Sequence, residues 1–217
     1  RRQRQMCIRD RFFMPVGIIQ GVASPLSGKL MQRINPKVFI VSGILLMALS
    51  FYMNYYLSFL TEKWYIMLSL YLRGLGMGLL FTPLLTLSLV NIRNSDMAQA
   101  SSITNIVRQM GGSFGVAIFS HLLTQRTAFH TQRYGEALNY TGDVYRQTLH
   151  SLSRFIEHTG GRTPDTAQEV AEMLILKRID LEGYISAIND DFFIAFIVTL
   201  LCVVPVSYTH LTLPTIA

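Results

Sequence analysis

Charge is what this sequence has least of. Lys, Arg, Asp and Glu supply 15% of its 217 residues, against roughly 25% in an ordinary soluble domain. Half of the residues are hydrophobic and the mean hydropathy is +0.34, so neither a typical soluble domain nor a disordered chain fits. The net charge is +6, yet no stretch gathers Lys and Arg on one face as a phosphate-tracking surface needs, and nucleic acid is excluded as a partner. Only two cysteines occur, Cys7 and Cys202, too far apart for a metal or redox motif. The histidines of the central region, His121, His130, His150 and His158, form no i, i+4 pair. No Asp or Glu interrupts the apolar stretches, so no catalytic constellation or metal site is apparent. The chain reads as a non-enzyme without a cofactor.

What it has is long apolar runs. A membrane-spanning helix needs about 20 mostly apolar residues. Residues 38–60 contain no charge and residues 64–90 contain one, Arg73. Residues 12–30 and 100–124 are apolar but rich in Gly and Ser, and 192–206 resemble a further span. The expected fold is therefore all-α and polytopic, with about five transmembrane helices. Residues 12–124 form a four-helix transmembrane bundle, joined by short links at 33–37, 61–63 and 91–99 that force neighbouring helices antiparallel. A segment over 125–191 separates it from the last transmembrane helix at 192–206.

Lys and Arg in short loops set orientation. Lys29, Arg33, Lys37, Arg93 and Arg108 lie on one side of the bundle, and Lys63 alone lies on the other. The first side is assigned to the cytoplasm, which leaves 125–191 extracytoplasmic. Within that segment Tyr145, Leu149, Leu152 and Ile156 recur at helical spacing, as do Val170, Met173, Leu174, Leu181, Tyr184, Ile185 and Ile188. Two amphipathic helices follow, packed on each other or the membrane face, or else offering a docking surface. Thr163-Pro164 reads as a cap with its first helical position, and Thr166 to Glu169 as a capping box. The turn at 160–163 separates the helices, and Asn139-Tyr140-Thr141 is a glycosylation sequon.

The ends are set aside. Residues 1–11 would place five arginines on the outer side, against the charge rule, and 207–217 abruptly abandon the apolar pattern. Both resemble translated adapter sequence, and are expected to be non-native tails. A signal peptide at the front is rejected, because no starting Met is present and Gln20 and two glycines suit a packed helix.

Arg73 is the sharpest residue. It lies nine residues into its helix, about 14 Å from the end, where a charge costs about 2.5 to 3.5 kcal/mol on insertion scales. It either faces a cavity or snorkels to the surface, and it cannot deliver a proton. Gly74 and Gly78, Gly111 and Gly115, and Gly17 and Gly21 repeat at one-turn spacing, as helices packing closely in lipid require; a ligand site is the rival reading. Pro83 should kink its helix and leave Thr82 and Thr86 near freed carbonyls. The helices over 64–90, with Arg73, Thr82, Pro83 and Thr86, and over 100–124, with Asn105, Arg108, Gln109 and Ser113, are the polar ones. They are the candidate substrate-cavity walls. Residues 38–60 and the last helix, apolar all round, suit a lipid-facing place.

Several of these pieces together resemble one family. GKLMQRINPK after the first span is similar to the second-half copy of the Gly-x-Leu-x-Asp-Arg loop of the major facilitator superfamily, with Gly28 and Arg33 in place and Gln32 where the family has Asp. RGLGMGLLFTPLLTLSLVNI, DMAQASSITNIVRQMGGSFGVAI, a long outer segment and a last helix resemble the closing helices of the fourteen-helix drug:proton antiporters of the EmrB/QacA type. The resemblance covers about residues 12–205. It implies helices ten to fourteen of a transporter in the bacterial inner membrane, with 64–90 lining the cavity, 12–30 and 100–124 flanking it, and 38–60 and 192–205 facing lipid. It further implies proton-coupling residues outside this segment and, in envelope-spanning members, a periplasmic adaptor near the outer segment.

The function expected is part of a proton-driven multidrug efflux permease that exports lipophilic or cationic drugs from within membrane lipid by alternating access. A non-transporting scaffold recruiting partners through its outer helices, and a polytopic membrane enzyme, are the alternatives.

Overall fold

The computed structural model describes residues 2–31, 33–90, 92–138, 142–160 and 163–208, with the side chains of residues 14–31, 33–90, 92–138, 142–159 and 163–206. Gln32 of the loop motif, the sequon at 139–141, part of the 160–163 turn and most of the 207–217 tail lie outside the described residues. Among the described residues seven helices run in order: α1 (Arg2–Leu30), α2 (Pro36–Tyr55), α3 (Lys63–Leu89), α4 (Met97–Ala137), α5 (Asp143–Gly160), α6 (Pro164–Leu201) and α7 (Val203–Tyr208). The chain is all-helical among the described residues.

Local signals account for several ends. Asn35 caps α2, accepting a bond from the Lys37 amide, with Pro36 at the first helical position. Pro164 opens α6 as its sequence implies. The Thr166 to Glu169 capping box is corrected, because Thr166 already lies inside α6 and its hydroxyl donates to the Thr163 carbonyl at 2.9 Å. Thr163 is the residue at the boundary.

Among the described residues three helices are long and apolar enough to cross a membrane: Pro36–Tyr55, Lys63–Leu89 and Pro164–Val206. The stretches 12–30 and 100–124 are helical as expected, but are too rich in Gly, Ser, Asn, Gln and Arg to meet the same measure. No helix break marks residue 124 or residue 191. At 1.5 Å per residue the 41 residues of α4 and the 38 of α6 reach about 60 Å each, twice the roughly 30 Å of a hydrocarbon core.

The chain divides into two compact units, Arg1–Ala117 with Phe192–Ala217, and Ile118–Asp191. In the first, α3 is the central helix, packed on α1 along one side and on α2 along the other. Gly74 and Gly78 face α1: a Cβ on Gly74 would stand 3.0 Å from the Val16 carbonyl, and one on Gly78 3.2 Å from that of Gln20. Gly76, two residues away and so on the opposite side of the helix, faces α2 at Gly43 and Met47. Small residues at both contacts let backbones approach, the main source of helix cohesion in lipid.

In the second unit α4 and α6 meet along Thr131 and Gly183, where a Cβ on Gly183 would stand 3.0 Å from the Thr131 amide nitrogen. The buried side of α6 is Ala167, Ala171, Ile179, Gly183 and Ala187. The large apolar residues lie on another side. Met173, Leu174, Leu181 and Tyr184 share helical spacing but stand exposed, because the close approach favours the small residues recurring every four positions.

Candidate functional site

Two polar ladders run along α3, one on each side. On the α2 side, Ser50 Oγ donates to the Ser69 carbonyl at 2.8 Å, and Ser69 Oγ donates to Asn54 Oδ1 at 2.7 Å. Tyr65 closes this side by donating to the Met53 carbonyl at 2.8 Å. Ser50, Asn54 and Ser69 are buried, and each bond answers a polar group that lipid would leave unsatisfied. On the α1 side, Ser24 and Thr82 share a hydroxyl contact of 2.8 Å, Thr82 Oγ1 also lies 3.1 Å from the Ser24 carbonyl, and Ser27 Oγ reaches the Gly78 carbonyl at 3.3 Å.

Arg73 belongs to the first ladder. Its Nε donates to Ser50 Oγ at 3.3 Å, and its guanidinium lies 4.9 Å from the Phe51 ring centroid and 5.3 Å from that of Phe192. The two rings are themselves 6.3 Å apart, so the cation rests against a pair of aromatic faces, a contact that desolvation strengthens. Its Nη2 is buried with no hydrogen-bond partner among the described residues. Arg73 therefore sits in the α2–α3 seam beside the start of the last apolar stretch, and does not reach for the helix end. Around it Tyr52, Tyr55, Phe193 and Phe196 continue the aromatic contact, with Tyr55–Phe193 at 5.1 Å and Tyr52–Phe196 at 5.5 Å.

Thr82 lies in the α1–α3 seam and Pro83 is fully buried beside it. The carbonyl that Pro83 frees is that of Leu79, four residues back. Thr82 gives its hydroxyl to α1, and Thr86 Oγ1 donates to the Thr82 carbonyl at 3.0 Å. Of the two threonines expected near freed carbonyls, Thr82 bonds to the Ser24 carbonyl and Thr86 to that of Thr82.

The polar side chains of α4 lie elsewhere. Asn105 and Arg108 line a cavity of about 260 Å³ with Leu85, Leu89, Ser101, Ser102 and Thr104. Arg108 Nη2 donates to Asn105 Oδ1 at 2.6 Å, and its guanidinium stands 5.1 Å from the Phe81 centroid. Gln109 is exposed, and its carbonyl accepts from Ser113. The six candidate cavity residues thus do not share one place: Arg73 lies on the α2 side of α3, Thr82 toward α1, Pro83 buried within the α1–α2–α3 group, and Asn105 in the α3–α4 cavity, with Thr86 and Gln109 exposed. Gly28 touches Thr82 Cγ2 at 3.4 Å from its would-be Cβ, and Arg33 is exposed. Gly17, Gly21, Gly111 and Gly115 have nothing within 4 Å of theirs among the described residues.

α2, expected at a lipid-facing place, has a packed side as well. Seven residues of α2 are buried, against α3, and Leu45, Leu49 and Tyr52 form the exposed side. Apolarity does not distinguish lipid from protein; the signal was Gly43, Ser50 and Asn54, small or polar residues set in an apolar run.

Comparison with known proteins follows the same lines. Residues 11–116 match the Major Facilitator Superfamily. Over 193 residues the chain is 28% identical to the uncharacterised MFS-type transporter YhcA of Bacillus subtilis, covering 88% of this chain and 35% of the relative. It is 26% identical over 178 residues to the fatty acid resistance protein FarB of Neisseria gonorrhoeae, covering 82% and 33%. With the multidrug export protein EmrB of Escherichia coli K12 it shares 25% over 186 residues, covering 83% and 34%. The chain spans about a third of the length of these curated relatives. With its apolar helices and bacterial relatives, it is a multi-pass bacterial membrane protein. Over residues 11–116 the chain resembles the major facilitator superfamily, and over more than four-fifths of its length it resembles the EmrB-type members of that superfamily.

Proposed function

We propose that these residues form part of a proton-driven multidrug efflux permease of the inner membrane, which exports lipophilic or cationic compounds by alternating access. The observation that carries this reading is the likeness, over more than four-fifths of the chain, to relatives whose names record multidrug export and fatty acid resistance. The closely packed α1–α2–α3 group, with glycines on two sides of α3, suits a half-bundle that rocks as a body. The cavity at Asn105 and Arg108 supplies polar groups beside the apolar Leu85 and Leu89, the mixture a polyspecific pocket uses. In this reading the 28–37 and 91–99 loops are cytoplasmic, and residues 125–191 lie outside, within reach of a periplasmic adaptor.

The test is accumulation of a lipophilic dye such as ethidium in cells expressing the complete protein, with and without an uncoupler. Reduced accumulation that the uncoupler abolishes is the expected result. Unchanged accumulation of every lipophilic dye tried, with membrane insertion confirmed, would overturn the reading.

A further inference from the structure

The second unit holds a group of ionisable side chains that the export reading leaves unused. Asp190 of α6 is met by two basic residues of α4: His130 Nε2 lies 2.8 Å from its Oδ2, and Arg126 Nη1 lies 3.7 Å from the same oxygen. The His130 side chain is only 17% exposed and that of Asp190 32%. Phe129 and Tyr134 flank the imidazole, with centroids at 5.4 and 6.3 Å. The Tyr134 hydroxyl contacts Ser186 Oγ at 2.9 Å and ties the same two helices one turn further along. Asp191, the next residue on α6, has a buried Oδ1 with no hydrogen-bond partner among the described residues. After Asp191 the sequence contains no Asp, Glu, Lys or Arg, so this group stands where the charged part of α6 gives way to its apolar part.

We propose that His130 and Asp190 form a proton-exchange site of the transport cycle. The proposal rests on the export reading and gives this segment its own share in proton coupling, which the sequence assigned to residues elsewhere. With a neutral imidazole, Arg126, Asp190 and Asp191 carry a formal charge of −1; one proton taken up brings the group to zero. An imidazole has two ring nitrogens and passes a proton from one side to the other. A hydronium ion gives its proton to Nδ1 and becomes water, and the imidazolium so formed keeps its Nε2–H bond directed at Asp190 Oδ2 across the 2.8 Å contact. The imidazole ends as a cation beside the carboxylate, and the gain is one proton. The imidazolium adds a charge pair to Asp190, so proton arrival strengthens the α4–α6 contact within this unit. Loss of the proton weakens it.

The experiment uses the complete protein in proteoliposomes and reads two quantities: proton movement driven by an ethidium gradient, and exchange of labelled against unlabelled ethidium without a proton gradient. His130→Gln and Asp190→Asn are each expected to lower ethidium-driven proton movement at least tenfold while keeping exchange within about twofold of wild type. Tyr134→Phe, which removes the Ser186 contact and no proton carrier, is expected to keep both. A wild type that moves no protons with ethidium overturns the export reading itself. Proton movement that persists in both His130→Gln and Asp190→Asn overturns the exchange site alone. Loss of exchange in these variants assigns the pair to folding and likewise overturns it.

Discussion

The backbones of Gly43 and Gly76 meet face to face: a Cβ on Gly43 would stand 2.9 Å from the Gly76 carbonyl oxygen, and one on Gly76 would stand 3.0 Å from that of Gly43. Neither neighbour is a flexible side-chain tip, so α2 and α3 must separate to admit even a methyl group. Gly76→Ala is expected to destabilise the complete protein by about 1 to 3 kcal/mol, the range for overpacking a close contact. Unfolding in detergent followed by tryptophan fluorescence, using Trp64 at the start of α3, measures the change. A variant as stable as wild type would show that this contact does not hold the pair together.

The buried ladder above that contact makes a second prediction. Ser69→Ala removes the hydroxyl that reaches Asn54 but leaves the carbonyl that accepts from Ser50. Interhelical hydrogen bonds in membranes average about 0.6 kcal/mol and reach about 1.7. The loss is expected to be near 1 kcal/mol, and smaller than that for Gly76→Ala. The same unfolding measurement ranks the two; a larger loss for Ser69→Ala would make the polar ladder the principal fastening.

The presence of the helices was legible in the sequence because length and apolarity dictate it: α2 and α3 fall where uninterrupted apolar runs fall. Their partners were less legible. GLGMG announces close packing, yet reading only Gly74 and Gly78 misses Gly76, because a spacing of four marks one side of a helix while a spacing of two reaches the other. Ser50 and Asn54 passed as minor polarity in an apolar run, although their spacing of one turn is the sign of a polar stripe. For the candidate site, helical spacing put Thr82 and Thr86 on one face. It did not reveal that Ser24, 58 residues away, would claim Thr82. Long-range pairing of this kind leaves no local signal, and the meeting of His130 with Asp190 across 60 residues is of the same sort.

Arg73 supports a prediction that separates function from packing. Its guanidinium keeps one bond to Ser50 and two aromatic contacts, while Nη2 lacks a partner among the described residues. Replacing an incompletely satisfied buried charge by an apolar residue of similar bulk is often close to neutral for stability. Arg73→Leu is therefore expected to insert and unfold much like wild type, yet to lose dye export. Arg73→Lys, which keeps the charge but loses the planar stacking, is expected to recover only a small part. Full export by Arg73→Leu would reduce the residue to an anchor of the seam.

The small-residue side of α6 makes the last prediction, confined to residues 118–191. Gly183 lies against the backbone of Thr131, and Ala167, Ala171 and Ala187 are fully buried along the same side. Met173 is 66% exposed, although its size and apolarity nominate it for a core. Gly183→Leu forces α4 and α6 apart over backbone atoms and is expected to cost about 1 to 3 kcal/mol, whereas Met173→Ser removes little buried surface and is expected to change stability by less than about 0.5 kcal/mol. Hydrogen exchange of the complete protein reads this locally, since opening of one unit raises exchange there before the rest unfolds. Gly183→Leu should speed exchange at 126–134 and 179–190 and leave α2 and α3 unchanged. Faster exchange in Met173→Ser than in Gly183→Leu would return the large apolar residues to the packed face.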